Sequence, residues 1–365
     1  MTTGDFKGRL GIIQRVLPVY RTPFFNLLAE HCQALSIFTG QPRTDEAILN
    51  AKQLQTAEVI ITRNFHFLTT SSRFYFCYQA GLEKWLDSWN PDAMIIEANF
   101  RYLSSASGIR WMKKRNRPVI GWGLGAPLDR GMLSGLRTQF LGQFDALIAY
   151  SKRGAEQYAD CGFPKEKIFV APNSAAPAPI EPLPERSITN NKQPVLLFVG
   201  RLQARKRIPA LLKACSRLAP AYSPRLVIVG DGPEINTLRK IADEIYPAAE
   251  FTGEKHGSEL EPYFLSADLF VLPGTGGLAV QQAMTWGLPV IVAQGDGTQD
   301  DLVRPGNGWQ IQPDDDESLF LALQEALGDI PRLRVMGAES YRIVSEEINL
   351  ETMKDVFLQV LNRFR

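Results

Sequence analysis

The sequence LLFVGRLQARK, residues 196–206, decides the fold of this chain. Its apolar run ends at Gly200, which is typical of a buried parallel strand. Basic side chains follow, and from Ile208 the apolar residues recur with helical spacing. The stretch therefore predicts a strand, a glycine turn and a basic loop that opens a helix. In open α/β sheets such turns lie at the carboxyl edge, where ligands bind.

The charges after this turn suit an anionic ligand. Gly200 lets another backbone or a ligand come close, and the side chains of Arg201 and Lys206 can reach one anion. Two cations beside the amino end of a helix fit a diphosphate. The alternative is a basic helix start that is only solvated, and charge alone does not distinguish the two.

Length and composition are those of a globular protein with two domains. The chain has 365 residues, 45% hydrophobic and 22% charged, and a domain has about 150 residues. The net charge of +1 argues against a nucleic-acid partner. No apolar run reaches the ~18 residues of a membrane-spanning helix, and the amino end lacks the apolar region of a signal peptide. Together with widely spaced cysteines, expected to be reduced, this predicts a cytoplasmic protein: Cys32, Cys77, Cys161 and Cys215.

Strands and helices alternate in both halves, which predicts mostly parallel, doubly wound sheets. In residues 1–176 a helix is expected at 78–88, and strands at 10–16, 35–39, 59–62, 93–97, 119–122, 146–150 and 168–171. The proline-rich stretch 177–194 is predicted to be a linker. In residues 195–349, strands are expected at 195–199, 225–229, 249–251, 269–272 and 290–292.

A second glycine-rich turn follows the apolar strand DLFVLP. Gly274, Gly276 and Gly277 leave backbone N–H groups bare at the amino end of the helix LAVQQAM, which makes an anion nest. Alone, such a turn is often only a tight turn. Paired with LLFVGRLQARK in one domain, it predicts a cradle for a nucleotide diphosphate.

The order and spacing of these motifs resemble the retaining family 4 glycosyltransferases of the GT-B fold. The matching run is FVGRL-x3-K, VGDGP, F-x-G, ADLFVLP and GL-x4-AM-x2-G-x-PVI, within about residues 194–313. The first half matches more loosely, in YRTPFFNLLAE and DALIAYSKRGAEQY. The resemblance implies two Rossmann-like, doubly wound parallel-sheet domains that face each other across a cleft. The first would bind the acceptor and the second the donor, and the terminal helix 350–365 would pack back on the first.

The activity implied by the resemblance is retaining sugar transfer. A hexose would move from a nucleotide-diphosphate donor, UDP-sugar first and GDP-sugar second, to a glycan or lipid-linked acceptor in polysaccharide biosynthesis. The arginine and lysine that bind the donor diphosphate in the family correspond to Arg201 and Lys206, which we take as the catalytic residues. The other donor-binding residues expected are Gly200, Gly230, Lys255, His256, Gly274, Thr275, Gly276, Gly277, Leu278, Ala279 and Gln282. Acceptor-binding candidates lie at strand ends of the first domain: Tyr20, Arg21, Glu97, Asn99, Arg101, Gly123 and Gly125.

One motif departs from the family. Where the family has two glutamates, on the donor sugar and on the ribose, this chain has Gly274 and Gln282. An amide can still bond ribose hydroxyls, but a glycine has no side chain for the sugar. The alternative is therefore a nucleotide-sugar-binding protein that has lost transferase activity. A phosphorylase or epimerase is a third hypothesis. The small number of histidines in the chain, three, weighs against it.

The expected mechanism is a front-face route that needs no cofactor, metal or protein nucleophile. The leaving diphosphate would help to deprotonate the acceptor, while the protein supplies positive field and positioning. The run 314–316, three aspartates, is expected to cap a helix rather than to bind a metal. The basic residues at 113–117 either end a solvated helix or contact an anionic inner membrane peripherally.

Overall fold

The computed structural model describes residues 4–43, 46, 48–68, 72, 74–126, 134–186 and 193–364. The chain divides into two compact units. Unit 1 comprises Met1–Ala175 with Leu350–Arg365, and unit 2 comprises Ala176–Asn349. Both are parallel α/β sheets, so the predicted fold class is confirmed. No helix in the described ranges is both long and apolar enough to span a bilayer.

Unit 1 is built on one seven-stranded parallel sheet in the order β3-β2-β1-β6-β7-β8-β9. Its strands are β1 (Phe6–Val16), β2 (Cys32–Gly40), β3 (Glu58–Thr62), β6 (Ala93–Glu97), β7 (Val119–Gly123), β8 (Ala146–Ala149) and β9 (Ile168–Val170). Helices are α1 (Thr22–Glu30), α2 (Leu82–Trp89), α3 (Ser104–Lys113), α4 (Ser134–Leu141) and α5 (Lys152–Asp160). Strands β6, β7 and β8 are apolar along most of their length because both faces of the sheet are covered.

A short antiparallel ribbon in unit 1 was not predicted. It consists of β4 (Asn64–Phe67) and β5 (Phe76–Gln79). The helix expected at 78–88 is wrong at its start, since residues 76–79 pair with β4. Helix α2 begins only at Leu82, after Gly81 has turned the chain with a φ of 78°.

The C-terminal helix α13 (Leu350–Arg363) belongs to unit 1. Its buried residues join the core on one face of the sheet. The ring of Phe357 lies 4.9 Å from that of Phe24 on α1 and 5.1 Å from that of Trp122 on β7. Unit 1 is therefore completed by the last segment of the chain.

Unit 2 is built on a six-stranded parallel sheet in the order β12-β11-β10-β13-β14-β15. Its strands are β10 (Val195–Val199), β11 (Arg225–Val229), β12 (Glu250–Gly253), β13 (Leu269–Leu272), β14 (Val290–Ala293) and β15 (Gly308–Ile311). Its helices are α6 (Ile208–Tyr222), α7 (Ile235–Ile245), α8 (Glu261–Ser266), α9 (Leu278–Thr285), α10 (Thr298–Leu302), α11 (Asp316–Leu327) and α12 (Ile330–Glu346). The carboxyl ends of β10, β11 and β13 carry the predicted ligand turns.

The described part of the proline-rich stretch lies on unit 2. Arg186 donates hydrogen bonds to the backbone oxygens of Phe264 at 2.8 Å and Trp286 at 2.7 Å, and to that of Ala267. Residues 187–192 of the predicted linker lie outside the described residues. The guanidinium group thus fixes the segment before it to α8 and α9.

Candidate active site

A cavity of about 390 Å³ opens at the carboxyl edge of the sheet in unit 2. It lies where β10, β11 and β12 end. Five of the predicted donor residues line it together: Gly200, Arg201, Gly230, Lys255 and His256. Asp231 and Glu254, which were not singled out from the sequence, also line it. The structure therefore gathers part of the predicted donor site in one place.

Glycines are required where the first two turns meet. A Cβ atom on Gly230, whose φ is 142°, would lie 2.0 Å from the backbone oxygen of Gly200. A Cβ on Gly232 would lie 2.3 Å from the oxygen of Leu202. Such overlaps exclude any side chain. The close turns hold backbone, rather than side chains, at the inner wall of the cavity.

The four cations of the basic loop have different surroundings. Arg205 donates to the hydroxyl of Thr275 at 3.1 Å, and Arg207 pairs with Asp314 and Asp316. Arg201 lines the cavity and is exposed. Within the described part of the chain, its guanidinium forms no ion pair, hydrogen bond or ring contact. It is the cation of this loop that remains available to a ligand in the cavity.

Lys206 is buried, with 8% of its surface exposed. Its Nζ donates to the backbone oxygen of Thr275 at 2.5 Å. Burial, together with the nearby charge of Arg205, lowers the pKa of this ammonium group to about 8. One of the three N–H bonds of the ammonium group is used by Thr275, and two remain for other acceptors.

The glycine-rich turn before α9 is pressed against the basic loop. The N–H of Thr275 donates to the backbone oxygen of Arg205 at 3.1 Å. A Cβ on Gly274 would lie 2.1 Å from that oxygen, and one on Gly276 would lie 2.3 Å from Nζ of Lys206. The absence of a glutamate at position 274 thus has a structural reason, because the basic loop occupies the space of its side chain.

The amides of this turn point to an anion site. In the described part of the chain, the N–H groups of Gly276, Gly277 and Leu278 donate no hydrogen bond. The oxygen of Gly276 accepts from Gln299 at 3.3 Å, so the loop is held from its carbonyl side. Bare amides at a helix amino end carry partial positive charge. Ala279 follows in the first turn of α9 and packs partly against the core.

The loop after β12 carries mixed charges. His256 contacts Glu254 at 3.3 Å, and Lys255 lies 4.0 Å from Glu259. The backbone N–H of His256 also donates to Glu259 at 3.3 Å. The cavity wall here presents both the carboxylate of Glu254 and the ammonium group of Lys255.

Gln282 lies elsewhere in unit 2. It lines an apolar cavity of about 460 Å³ together with residues of 176–184, Thr285 and Trp286. Its neighbour Gln281 is buried and donates to the oxygen of Ile348 at 2.8 Å. The structure does not bring Gln282 into the cavity of Arg201, and its role at a ribose stays a prediction.

The expected helix cap at 314–316 is confirmed. Asp315 accepts hydrogen bonds from the N–H groups of Glu317 and Ser318, at 2.9 and 3.0 Å. Its neighbours pair with Arg207 as described above. The described residues contain no group of three His, Cys, Asp or Glu side chains that could hold a metal ion.

A second cavity, of about 310 Å³, lies at the carboxyl edge of the sheet in unit 1. Five of the predicted acceptor residues line it: Glu97, Asn99, Arg101, Gly123 and Gly125. Eight further lining residues were not among the predicted acceptor residues, and they include Tyr102, Trp122, Arg137 and Tyr150. Tyr150 could have been found, because it stands at the end of a predicted strand at the same edge.

Glu97 is the carboxylate of this cavity. Its Oε2 accepts a hydrogen bond from the backbone N–H of Arg15 at 2.5 Å. Burial raises the pKa of the Glu97 carboxyl to about 7, although that hydrogen bond and the charges of Arg15 and Arg21 oppose the rise. Near neutral pH the group is therefore divided between its two protonation states.

Arg21 is a buried cation beneath the same edge, with 4% of its surface exposed. Its guanidinium carbon lies 4.8 Å from the ring centre of Trp122 and 5.2 Å from that of Tyr150. Among the described residues, its Nη1 has no hydrogen-bond partner. Tyr20 next to it is 40% exposed. Neither lines the cavity directly, but the aromatic rings that do are in contact with the arginine.

Comparisons with known proteins agree with this architecture. The family model "Glycosyltransferase Family 4" matches residues 28–178, and the model "Glycosyl transferases group 1" matches residues 180–342. The apo structure of the lipopolysaccharide outer core galactosyltransferase WaaB superposes with a TM-score of 0.69 at 16% identity, covering 96% of this chain and 99% of that one. Anabaena HepE in complex with UDP superposes with a TM-score of 0.69 at 14% identity, covering 97% and 99%. These structures show the shared fold.

Sequence relatives extend the likeness. The sulfoquinovosyl transferase of Arabidopsis thaliana is 32% identical over 40% of this chain, and the match spans only 29% of that protein. A relative from Corynebacterium glutamicum is 30% identical over 99% of this chain and 97% of its own length. It is named a GDP-mannose-dependent monoacylated alpha-(1-6)-phosphatidylinositol monomannoside mannosyltransferase. This full-length match and the models over both halves show that the chain belongs to glycosyltransferase family 4 and is a transferase of the GT-B fold.

Proposed function

We propose that this enzyme transfers a hexose from a nucleoside-diphosphate sugar to a glycan or lipid-linked acceptor. Polysaccharide or lipid-linked glycan assembly is the setting that fits such a reaction. The observation that supports the donor most directly is Arg201, whose guanidinium has no partner among the described residues and lines a cavity walled by closely packed glycine turns. A diphosphate is a ligand that would satisfy it.

We propose that the chemistry is electrostatic. Arg201, the ammonium group of Lys206 and the amides before α9 would together hold the diphosphate. Negative charge grows on this group as the bond to the sugar breaks, so fixed positive groups lower the barrier. Retention would follow from a front-face attack in which the leaving phosphate oxygen takes the acceptor proton. Neither a protein nucleophile nor a metal ion enters this proposal.

The nucleobase of the donor is part of the proposal. The full-length relative is named GDP-mannose-dependent, which favours a guanosine donor over the uridine donor that we put first from the sequence. The carboxylate of Glu254, which lines the cavity, is consistent with guanine. Guanine presents two adjacent N–H donors to a carboxylate, whereas uracil presents one. Isothermal titration of GDP against UDP distinguishes the two donors.

We assign the acceptor to unit 1. Its cavity combines the carboxylate of Glu97 with the guanidinium group of Arg101, and places aromatic rings beside them. Such a set suits a sugar hydroxyl together with a neighbouring negative group. A cytoplasmic enzyme that meets its lipid-linked acceptor at a membrane surface fits this assignment.

A binding protein without transferase activity is the second candidate. The observation that favours it is Gly274, where the side chain that would hold the donor sugar is missing and its space is filled. Donor hydrolysis separates the candidates. Tight donor binding with no release of sugar, with or without acceptors, would favour the binding protein.

The test of the proposed function is Arg201→Ala. Loss of this guanidinium should cost about 3 kcal/mol of transition-state stabilisation, by analogy with removal of an oxyanion donor. Rates of sugar release from GDP-mannose and UDP-glucose give the measurement. Arg239→Ala, at an exposed position of α7, is the matched control. Turnover unchanged within a few-fold would remove Arg201 from the site.

A further inference from the structure

The ribbon β4–β5 has its aromatic side chains outside and its polar side chains inside. Phe65 pairs with Tyr78 and Phe67 with Phe76 across the two strands. Phe65, Phe67 and Tyr78 are 41%, 53% and 44% exposed. Alternation in a strand places these four rings on one face. In a two-stranded ribbon this is the reverse of the usual pattern, in which apolar residues turn inward.

The inward polar side chains fix the ribbon to the main sheet of unit 1. Asn64 donates to the backbone oxygens of Arg15 at 2.8 Å and Gln41 at 3.0 Å. Gln79 donates to the oxygen of Gln14 at 3.0 Å. These bonds tie the ribbon to the carboxyl end of β1. The aromatic face is therefore held outward by specific contacts.

The apolar surface continues beyond the two strands. Leu68 and Phe74, which flank the strands, are 60% and 49% exposed. Leu103, 45% exposed, is joined to β5 by its N–H, which donates to the oxygen of Cys77 at 2.8 Å. Exposed large apolar side chains grouped in this way mark an interaction site. We call the surface formed by Phe65, Phe67, Leu68, Phe74, Phe76, Tyr78 and Leu103 the aromatic face.

Cationic side chains border the aromatic face. The sequence from 59 to 82 contains no aspartate or glutamate, while Glu46 accepts a hydrogen bond from the backbone N–H of Arg43 at 3.0 Å and pairs with Arg15. The guanidinium of Arg63 lies over the ring of Phe65, 4.9 Å from its centre. Arg43 donates to the backbone oxygen of Leu68 at 2.9 Å. Aromatic rings beside cations complement an anionic bilayer surface.

We propose that the aromatic face is the surface by which this chain docks on an anionic lipid bilayer. The rings would lie at the level of the headgroups, and Arg43 and Arg63 would contact lipid phosphates. The backbone N–H of Cys77 donates to the oxygen of Arg101, and its oxygen accepts from the N–H of Leu103. Arg101 and Tyr102 of this segment line the unit 1 cavity. Docking would thus bring that cavity to the membrane surface. This inference rests on the proposed function for its link to a lipid-borne acceptor, but its test does not.

The test uses flotation with vesicles and no sugar donor. Vesicles of equal phosphatidylglycerol and phosphatidylcholine should carry the full chain, and raised salt should weaken the binding because it screens the cations. The double variant Phe65→Ser/Phe67→Ser should partition at least about tenfold less, since two large apolar side chains leave the interface. Arg63→Glu should weaken binding to the anionic vesicles and leave binding to pure phosphatidylcholine unchanged.

The matched control is Leu321→Ser/Val335→Ser, at positions that are 54% and 71% exposed in unit 2. It should float like the unaltered chain, and circular dichroism checks that each variant is folded. Absence of flotation, or equal flotation of the aromatic and control variants, overturns the proposal. Self-association in sedimentation velocity that is lost in Phe65→Ser/Phe67→Ser would instead assign the face to a second copy. Flotation without any sugar transfer would leave the docking surface standing and refute the proposed function.

Discussion

Two ionisable side chains, one in each unit, have pKa values moved by burial toward neutrality. The pKa of Lys206 is lowered to about 8, and the pKa of Glu97 is raised to about 7. In both cases the charged form is disfavoured because water is removed from it. Such groups lose their charge within the range in which an enzyme is assayed, so each gives a pH-dependent prediction.

Lys206 should make donor binding depend on pH. A diphosphate binds the ammonium form, and near pH 8 the free protein begins to lose it. Affinity for GDP or UDP should therefore fall as pH rises above about 8, by up to about tenfold per pH unit, with proton uptake on binding. Isothermal titration in buffers of different ionisation enthalpy measures both effects.

A substitution separates this lysine from other groups. Lys206→Arg keeps its charge at every accessible pH, so the fall in affinity above pH 8 should disappear even if the binding itself is weaker. A fall that persists unchanged in this variant would show that another group titrates.

Glu97 should make unit 1 less stable as pH rises. Its folded pKa of about 7 lies above the ordinary value of 4.5, so the folded state favours the protonated form. The contribution of Glu97 to the free energy of unfolding is complete below pH 4.5. It is lost as the pH rises through 7, which lowers that free energy by up to about 3 kcal/mol. Glu97→Gln should therefore stabilise the protein more at pH 8 than at pH 5 in urea unfolding.

An exposed glutamate gives the control for this prediction. Glu83→Gln makes the same change of a carboxyl to an amide at an exposed position of α2. It should change the free energy of unfolding by an equal, small amount at both pH values. If Glu97→Gln also has the same effect at both, the carboxylate is not desolvated in the folded state.

At the scale of elements, the contact between the basic loop and the glycine turn decides how the donor site is built. Arg205 and Thr275 are far apart in sequence and share a backbone hydrogen bond of 3.1 Å. The contact leaves no room for a Cβ on Gly274. The family's glutamate at this position is therefore incompatible with this loop arrangement, rather than merely absent.

Gly274→Ala and Gly274→Glu should both damage the donor site. A new Cβ at 2.1 Å from a backbone oxygen forces the loops apart, which costs roughly 1–3 kcal/mol and displaces Lys206. We expect lower thermal stability and weaker binding of GDP and UDP in both variants. Gly135→Ala, at an exposed position of α4 in unit 1, is the control, because a Cβ there meets nothing within 4 Å. Faster sugar transfer in Gly274→Glu would refute this account.

Local patterns predicted the elements that carry the donor site and missed those that depend on distant contacts. Strands β10 and β13 are apolar runs that end in glycine or proline turns, so their positions followed from sequence. Strand β15 was missed because Gly308 and Gln310 interrupt its apolar pattern. Gly308 is there because a Cβ would lie 2.1 Å from the oxygen of Val290 on β14. That close approach is a tertiary contact, which no local pattern shows.

The ribbon β4–β5 was missed for a different reason. Its polar side chains turn inward and its aromatic ones outward, so burial did not follow hydrophobicity. Acceptor residues could be predicted from the sequence only where they lie at the ends of predicted strands. Glu97 and Gly123 were found there, whereas Arg137 reaches the cavity from α4. The bond from Lys206 to Thr275 was also beyond sequence analysis, since it joins loops 69 residues apart.

At the scale of the whole molecule, unit 1 is discontinuous in sequence. The chain leaves it at Ala175 and returns at Leu350. Unit 1 cannot complete its core until α13 has been made, because Phe357 packs against Phe24 and Trp122. Trp122 in turn lines the unit 1 cavity. The last helix therefore supports the proposed acceptor site from beneath.

Phe357→Ala should destabilise unit 1 and leave unit 2 unchanged. Removing this fully buried ring should cost about 3–5 kcal/mol. Chains of two domains need not unfold in one step, and calorimetry should resolve two transitions. The transition that GDP or UDP raises belongs to the unit that binds the donor, and Phe357→Ala should lower the other one. Phe264→Ala, a buried ring of unit 2, should lower the nucleotide-sensitive transition. If Phe357→Ala lowers that transition as much as its own, α13 does not belong to unit 1 alone in solution.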